Sequence, residues 1–137
     1  MKIFLDTNVL ISAFVFGGTA SKLLAELFTD SREEQFDLFV SEYVEEEFRA
    51  KLNEKWPYKA GRAFALYKRM TITKVPSTEE RLGVLRDTKD IPVLSDAIAM
   101  GADIILTGDR DFLESDIEKP LIFSPSMMYA YLHRDGK

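Results

Sequence analysis

Two short runs of the sequence are wholly apolar, and polar side chains follow each of them at once. The first run is IFL at residues 3–5, and the second is IIL at residues 104–106. Apolar runs of this length without alternation are typical of strands that are buried on both faces. The two runs therefore predict two central strands of a sheet that is covered by helices on both sides.

Predicted strands and helices alternate along the whole chain. The predicted strands cover 2–6, 36–40, 70–75, 103–107 and 121–124. The predicted helices cover 8–15, 19–29, 42–55, 58–69, 78–85, 91–101 and 125–133, and GDRDF at 108–112 is predicted as a loop. Such alternation is typical of parallel strands joined by helical crossovers. We therefore predict an α/β fold, a three-layer α/β/α sandwich with a central, mainly parallel sheet, and we expect residues 1–137 to form a single domain.

Composition narrows the kinds of site that the chain can build. There is no cysteine, and His133 is the only histidine, so thiol chemistry is excluded and a histidine-rich zinc site is disfavoured. No apolar run approaches the roughly 18 residues of a membrane span, and we expect a cytoplasmic protein without membrane attachment. The net charge of −5 argues against a protein that coats nucleic acid, but not against a nuclease with clustered acids.

Three aspartates are expected at one edge of the sheet, because sites on open parallel sheets form beyond the carboxyl ends of the strands. Asp6 follows the first predicted strand, and Asp109 follows the fourth. Asp90 comes just before the helix that is predicted to start at residue 91. Asp103 begins its strand, so we expect it at the opposite edge.

The 42–55 helix supplies a fourth acid. Val44 and Phe48 belong to its apolar stripe, which should face the core. Glu47 lies about 60° from Val44 around the helix, whereas Glu46 lies about 160° from it. We therefore expect Glu47 to point inward and Glu46 to face solvent.

Carboxylates that lie close together raise each other's pKa, and a divalent cation relieves the repulsion. A ligand set made only of oxygen suits Mg²⁺ or Mn²⁺, which can activate water and stabilise the leaving oxygen of a phosphodiester. The expected ligands are Asp6, Glu47, Asp90 and Asp109, with Asn8 and Thr107 as hydrogen-bonding neighbours that orient them.

These acids could also have purely structural roles. Asp6 and Asp90 could cap helices, and Asp109 could be a turn residue. Asp96 could face either the acids or water. The tyrosines, Tyr58 among them, are expected to pack in the protein rather than to stack on bases.

Three segments resemble the PIN-domain family. They are FLDTNVLISAF at 4–14, VSEYVEEEFRAKL at 40–52 and RDTKDIPVLSDAIAMGADIILTGDRDF at 86–112. The resemblance implies a metal-dependent ribonuclease fold in which the catalytic and metal-binding acids are Asp6, Glu47, Asp90 and Asp109. It further implies an auxiliary role for Asp111, and Asp87 competes with Asp90 for the third position.

Small members of that family are similar to the toxins of bacterial or archaeal toxin–antitoxin pairs. The resemblance to this VapC-like type implies an endoribonuclease that acts on RNA, forms a homodimer and is inhibited by a cognate antitoxin. Lys22, Arg49 and Arg110 are the candidates for holding the RNA backbone.

Other functions remain open at this point. The chain could be an RNA-processing nuclease that is not a toxin, or a non-catalytic module that binds RNA or protein. A phosphohydrolase of small phosphoesters is less favoured, since it usually needs an Asp-x-Asp pair and position 8 is Asn8. The RNA target, the number of metal ions, the oligomeric state and the choice between Asp87 and Asp90 are left undecided by the sequence.

Overall fold

Five strands form one parallel sheet in the computed structural model, which describes residues 1–28, 35–78 and 90–134, without the side chain of Asp90. The strands are β1 (Lys2–Leu5), β2 (Asp37–Ser41), β3 (Ile72–Val75), β4 (Ile104–Leu106) and β5 (Leu121–Phe123). Their order across the sheet is β3-β2-β1-β4-β5, and every neighbouring pair is parallel. β1 is thus the middle strand, with β4 on one side and β2 on the other.

Helices occupy the connections between the strands. They are α1 (Thr7–Ile11), α2 (Gly18–Leu27), α3 (Glu42–Lys55), α4 (Pro57–Arg69), α5 (Asp90–Ala99), α6 (Arg110–Leu113) and α7 (Pro125–Leu132). The predicted α/β/α sandwich around a parallel sheet is confirmed. In the described part of the chain, no single helix is long and apolar enough to cross a membrane. Only the two helical stretches Thr7–Phe16 and Gly18–Leu27, taken together and bent by 106° at their junction, pass that test.

The two apolar runs are the central strands that the sequence predicted. The side chains at 3–5 and at 104–106 are completely buried. Val44, Phe48 and Leu52 of α3 are buried as well, so the predicted apolar stripe of this helix faces the core.

Some predicted elements differ from the structure. GDRDF is not a plain loop, because the carboxylate of Asp109 accepts a hydrogen bond from the backbone N–H of Asp111 and so starts the short helix α6. The first predicted helix is interrupted, since α1 continues as a π-helical segment at Ser12–Phe16. The predicted helix at 78–85 lies almost entirely outside the described residues.

Two serines hold the start of α3 against the sheet. The hydroxyl of Ser41, at the end of β2, accepts a hydrogen bond from the N–H of Val44 at 3.3 Å. The hydroxyl of Ser77, which follows β3, accepts one from the N–H of Tyr43 at 2.8 Å. Two of the unpaired N–H groups of the first helical turn are therefore satisfied, and α3 begins at a fixed point on the carboxyl edge of the sheet.

Glu45 is a buried carboxylate that joins α3 to α4 and β3. It accepts hydrogen bonds from the hydroxyl of Tyr67 at 2.7 Å and from the ammonium group of Lys68 at 3.1 Å, and the ammonium group of Lys74 lies 3.4 Å away. Burial opposes its ionisation, but these hydrogen bonds and the two lysine charges outweigh burial, so the pKa of Glu45 is lowered. Glu45 therefore acts as a structural anion.

Replacing Glu45 by alanine should destabilise the protein by about 2 kcal/mol, because the Tyr67 hydroxyl would lose its partner inside the protein. Glu46→Ala is the matched control, since the neighbouring Glu46 is exposed and its loss should change stability by less than about 0.5 kcal/mol. Urea unfolding of both variants measures the difference. Equal stabilities would mean that the Glu45 contacts contribute nothing.

Candidate active site

The chain adds strands to the sheet first on one side of β1 and then on the other, although all five strands are parallel. After β1 the chain adds β2 and then β3 on one side, and it returns to place β4 on the other side of β1. In open α/β sheets, the crevice beyond the carboxyl ends of two such strands is the usual ligand site. Asp6 follows β1 and Thr107 follows β4, so both residues lie at this crevice.

The backbone of these two residues extends the hydrogen-bond ladder of the sheet. The N–H of Asp6 donates to the carbonyl of Leu106 at 3.0 Å, and the N–H of Thr107 donates to the carbonyl of Phe123 at 2.9 Å. Asp6 is 4% exposed and Thr107 is fully buried. The position of the Asp6 carboxylate is thus set by the rigid centre of the sheet.

Three donors surround the Asp6 carboxylate. Its Oδ1 accepts from the N–H of Thr7 at 2.7 Å. Its Oδ2 accepts from the hydroxyl of Thr107 at 2.7 Å and from the side-chain amide of Asn8 at 3.2 Å. Asn8 and Thr107 therefore lie where the sequence placed them, in contact with the first acid.

The same two side chains fix the loop after β4. The amide oxygen of Asn8 accepts from the N–H of Gly108 at 2.7 Å. The hydroxyl oxygen of Thr107 accepts from the N–H of Asp109 at 3.0 Å. The orientation of Asp6 and the backbone of Asp109 thus depend on one hydrogen-bond network.

The pKa of Asp6 is raised from 3.8 to about 6. Burial is the largest cause, and the negative charges of Glu47 and Asp109 raise the pKa further, against the lowering effect of the hydrogen bonds from Thr107 and Thr7. Glu47 and Asp109 therefore both lie close enough to Asp6 for their charges to act on it.

The three consecutive glutamates of α3 have three different environments. Glu46 is exposed, as predicted, and Glu47 is half-buried on the side from which its charge reaches Asp6. The most buried of the three is nevertheless Glu45, at 7% exposure, which faces α4. The hydroxyl of Tyr43 donates a hydrogen bond to Glu47 Oε2 at 3.4 Å, a contact that was not predicted although a spacing of four residues favours it.

The remaining acids fall into separate groups. Asp109 caps α6 through Oδ1, and Asp111 in that helix is exposed. Asp103 accepts a hydrogen bond from the N–H of Lys2 at 2.7 Å, so it lies at the opposite edge, as predicted. Asp90 is the first residue of α5, but its side chain is outside the described structure, as is all of Asp87.

Asp96 is buried, so the orientation towards water is wrong. Its Oδ1 accepts a hydrogen bond from the N–H of Thr78 at 2.7 Å. It therefore connects α5 to the segment that follows β3. Its Oδ2 is also buried and has no hydrogen-bond partner among the described residues, so the orientation of this oxygen towards the acids stays a prediction.

The donors at the crevice fit a hard divalent cation in their chemistry. Every candidate ligand is a carboxylate, and Oδ1 of Asp6 retains acceptor capacity beyond its hydrogen bond from Thr7. A cation would also compensate the buried negative charge of Asp6. Among the described side chains alone, no three acids or histidines lie close enough together to hold an ion. Asp6, Glu47 and Asp109 therefore do not form such a group by themselves.

The three cations proposed from sequence lie on different elements. Lys22 is exposed on α2, and Arg110 is exposed at the start of α6, directly after Asp109. Arg49 is exposed on α3 and lies 4.6 Å from the ring centre of Phe64 in α4. Of the three, Arg110 is the one that adjoins a candidate acid along the chain.

The raised pKa of Asp6 predicts a pH-dependent loss of stability in the metal-free protein. The folded state binds the proton more tightly than the unfolded chain, so the stabilisation is present below pH 4 and is lost as the pH rises through about 6. Between these limits the wild type should lose up to about 3 kcal/mol relative to Asp6→Asn. Urea unfolding in chelator at several pH values measures this difference, with Asp116→Asn, which removes an exposed carboxylate, as control. Parallel pH curves for the wild type and Asp6→Asn would contradict it.

Solved structures share the fold of the chain. A chain of the crystal structure of VapBC2 from Rickettsia felis, bound to a DNA fragment from their promoter, superposes with a TM-score of 0.67 at 16% identity, over 90% of this chain and 98% of that one. VapC20 from Mycobacterium tuberculosis, described as a Sarcin-Ricin loop cleaving toxin, superposes with a TM-score of 0.54 at 18% identity, over 75% and 86% of the two chains. At these identities the likeness establishes the fold.

Sequence comparison gives the family. A search of curated proteins finds no match. The family model described as PIN domain matches residues 2–111, a range that includes both Asp6 and Asp109. Because that match covers most of the sequence, the chain belongs to the PIN-domain family.

Proposed function

We propose that the protein is an endoribonuclease that depends on Mg²⁺ or Mn²⁺ and is the toxin of a toxin–antitoxin pair. The observation that carries the proposal is the buried carboxylate of Asp6, whose pKa is raised partly by the charges of Glu47 and Asp109. In a PIN domain with its crevice at the carboxyl ends of β1 and β4, these acids stand where phosphodiester chemistry is expected.

Asp6, Glu47, Asp90 and Asp109 would hold the cation in this proposal. When bound, the cation would activate water and stabilise negative charge on the phosphate. Thr107 and Asn8 keep the Asp6 carboxylate in one orientation through their hydrogen bonds at 2.7 and 3.2 Å. Arg110 would attract the RNA phosphate, whereas the acids around it would repel RNA in the absence of the cation.

The assignment as a toxin is supported by the fold it shares with VapC20, a Sarcin-Ricin loop cleaving toxin, and with a chain of the VapBC2 complex. We extend to this chain the expectation of a cognate antitoxin, a homodimer and a cytoplasmic location. We also propose that residues 1–137 are one nuclease domain. Co-expression with the product of a neighbouring short reading frame, followed by co-purification, tests the antitoxin separately from catalysis.

Cleavage of RNA should require both the cation and Asp6. Wild-type protein and Asp6→Asn are incubated with single-stranded and structured RNA in Mg²⁺, in Mn²⁺ and in chelator. The variant should lose at least about 100-fold in rate, a larger effect than loss of a neighbour that only orients a ligand. Mn²⁺ should also raise the unfolding temperature of the wild type and not that of the variant, because a ligand stabilises the state that binds it.

Circular dichroism verifies that the variant is folded. Cleavage that is equal in the two proteins would exclude Asp6 from the mechanism. A folded wild type that neither cleaves RNA nor is stabilised by the cation would favour the non-catalytic binding module.

Loss of the Thr107 hydroxyl should weaken cation binding while the ligands themselves remain. Thr107→Val removes the donor to Asp6 and leaves the N–H of Asp109 without its acceptor. We expect the affinity for Mn²⁺ to fall by about 10–100-fold, measured by calorimetry. Thr73→Val, at an exposed position of β3, is the matched control. Unchanged affinity in Thr107→Val would show that Asp6 is oriented without this hydroxyl.

A further inference from the structure

Positive charge is concentrated in one stretch of this acidic chain. Residues 55–78 contain six of the 18 basic side chains and none of the 23 acidic ones. The rest of the sequence therefore has 12 basic side chains against 23 acidic ones. The basic stretch includes the end of α3, the whole of α4 and β3. A polyanion would be attracted to this region far more than to the remaining sequence.

The outer face of α4 arranges part of this charge in a line. Tyr58, Arg62 and Arg69 lie within about 40° of one another around the helix, and they span about 16 Å along its axis. All three are exposed, and Tyr58 is 80% exposed, so the expectation that this tyrosine packs is wrong. Lys59 lies beside them, with its ammonium group 5.8 Å from the ring centre of Tyr58. We refer to Tyr58, Lys59, Arg62 and Arg69 as the α4 surface.

No anionic side chain in the described part of the chain pairs with the cations of the α4 surface. None of the three forms an ion pair with any residue in the described ranges. Lys68 and Lys74 of the same basic stretch differ in that both contact the buried carboxylate of Glu45. The α4 surface therefore offers uncompensated positive charge to a ligand.

The chemistry of this surface favours nucleic acid over a protein partner. The centres of protein interfaces are apolar and depleted in charge. The outer face of α4 instead has three cations, and its only large exposed apolar side chains are those of Tyr58 and Leu66. Cations that alternate with an exposed aromatic ring are typical of surfaces for single-stranded nucleic acid, since phosphates pair with the cations and a base stacks on the ring.

The α4 surface and the acids lie on different sides of α3. Glu45 faces α4 through Tyr67, whereas Glu47 acts on the charge of Asp6. Two positions along a helix correspond to a rotation of about 200°, so the two glutamates point in nearly opposite directions. RNA held on α4 would therefore be bound away from the bond that is cleaved.

We propose that the α4 surface binds the backbone of single-stranded RNA and anchors the substrate while a distant part of it reaches the acids. The inference rests on the proposed ribonuclease function for its biological meaning, but the binding itself does not require catalysis. It predicts that loss of the surface raises KM and leaves kcat nearly unchanged.

The test measures binding without cleavage. A labelled 20-nucleotide single-stranded RNA is titrated in chelator with wild-type protein and with Arg62→Gln/Arg69→Gln, and anisotropy is recorded at several salt concentrations. Removal of two phosphate contacts should reduce the slope of log K against log salt by about 1.4 and weaken binding about 25-fold at 0.1 M salt. Tyr58→Ala should weaken binding with no change in the salt slope, because stacking releases no counterion.

Lys2→Gln/Lys119→Gln is the matched control. It also removes two exposed positive charges, but from outside the basic stretch, and should bind RNA like the wild type. Unfolding temperatures confirm that both double variants are folded. If both double variants lose the same RNA affinity, the loss follows from net charge alone, and the proposal is overturned.

Two further outcomes separate this proposal from its alternatives. Tighter binding of a 20-base-pair RNA duplex would overturn the assignment to single strands, and tighter binding of a polyglutamate peptide would overturn the assignment to RNA. If Arg62→Gln/Arg69→Gln binds RNA as tightly as the wild type, and cleavage depends on Asp6, the proposed role of the α4 surface is overturned. The proposed function then stands. Loss of binding in that variant with no cleavage by the wild type would support the surface and contradict the nuclease.

Discussion

The Asp6 carboxylate is buried at the end of the central strand, and among the described residues no cationic side chain pairs with it. A buried charge in this setting is costly, which is why burial is the main cause of its raised pKa. Three hydrogen-bond donors keep it in place, and one of them, Thr107, comes from the strand next to β1. The site therefore depends on the register in which Leu5 pairs with Leu106, since a shift by one residue would turn Thr107 to the other face of the sheet.

Helix α3 divides the molecule into two regions of opposite charge. On one side, Glu47 belongs to the acids at the crevice, and its charge raises the pKa of Asp6. On the other side, Glu45 binds Lys68 and Lys74, so it fixes α4 and the edge strand β3 to the helix. Three adjacent residues of identical chemistry thus have a structural role, an exposed position and a candidate catalytic position, because each points in a different direction around one helix.

The separation of charge has a consequence for an anionic substrate. The net charge of −5 and the carboxylates at the crevice oppose the approach of RNA, and this repulsion is strongest where the chemistry would occur. A bound divalent cation would reverse the local field at the crevice. The uncompensated cations on the outer face of α4 would supply attraction elsewhere, so an acidic protein could still bind a polyanion.

The sequence pattern predicted those elements in which the burial of a residue follows from its neighbours in the chain. The apolar runs specified β1 and β4 as central strands, and the predicted bounds of α3, residues 42–55, agree with the structure. Short elements were harder to predict from the sequence, because the four residues of α6 depend on a single cap by Asp109 and show no periodicity. The π-helical segment after α1 likewise has no pattern of its own in the sequence.

Tertiary structure decided which partners each acid contacts. Around the helix, Glu45 lies about 60° from the middle of the buried stripe at 44, 48 and 52, whereas Glu47 lies about 100° from it. Helical geometry therefore places Glu45 nearer the core but does not show what either acid contacts. Packing of α4 against α3 brought Tyr67 and Lys68 to Glu45 and left Glu47 near Asp6. The acids that end the strands and begin the helices could be read from the sequence by itself. Only the order of the strands, with β1 next to β4, placed Asp6 against Thr107, because residues 101 positions apart meet solely through the folded sheet.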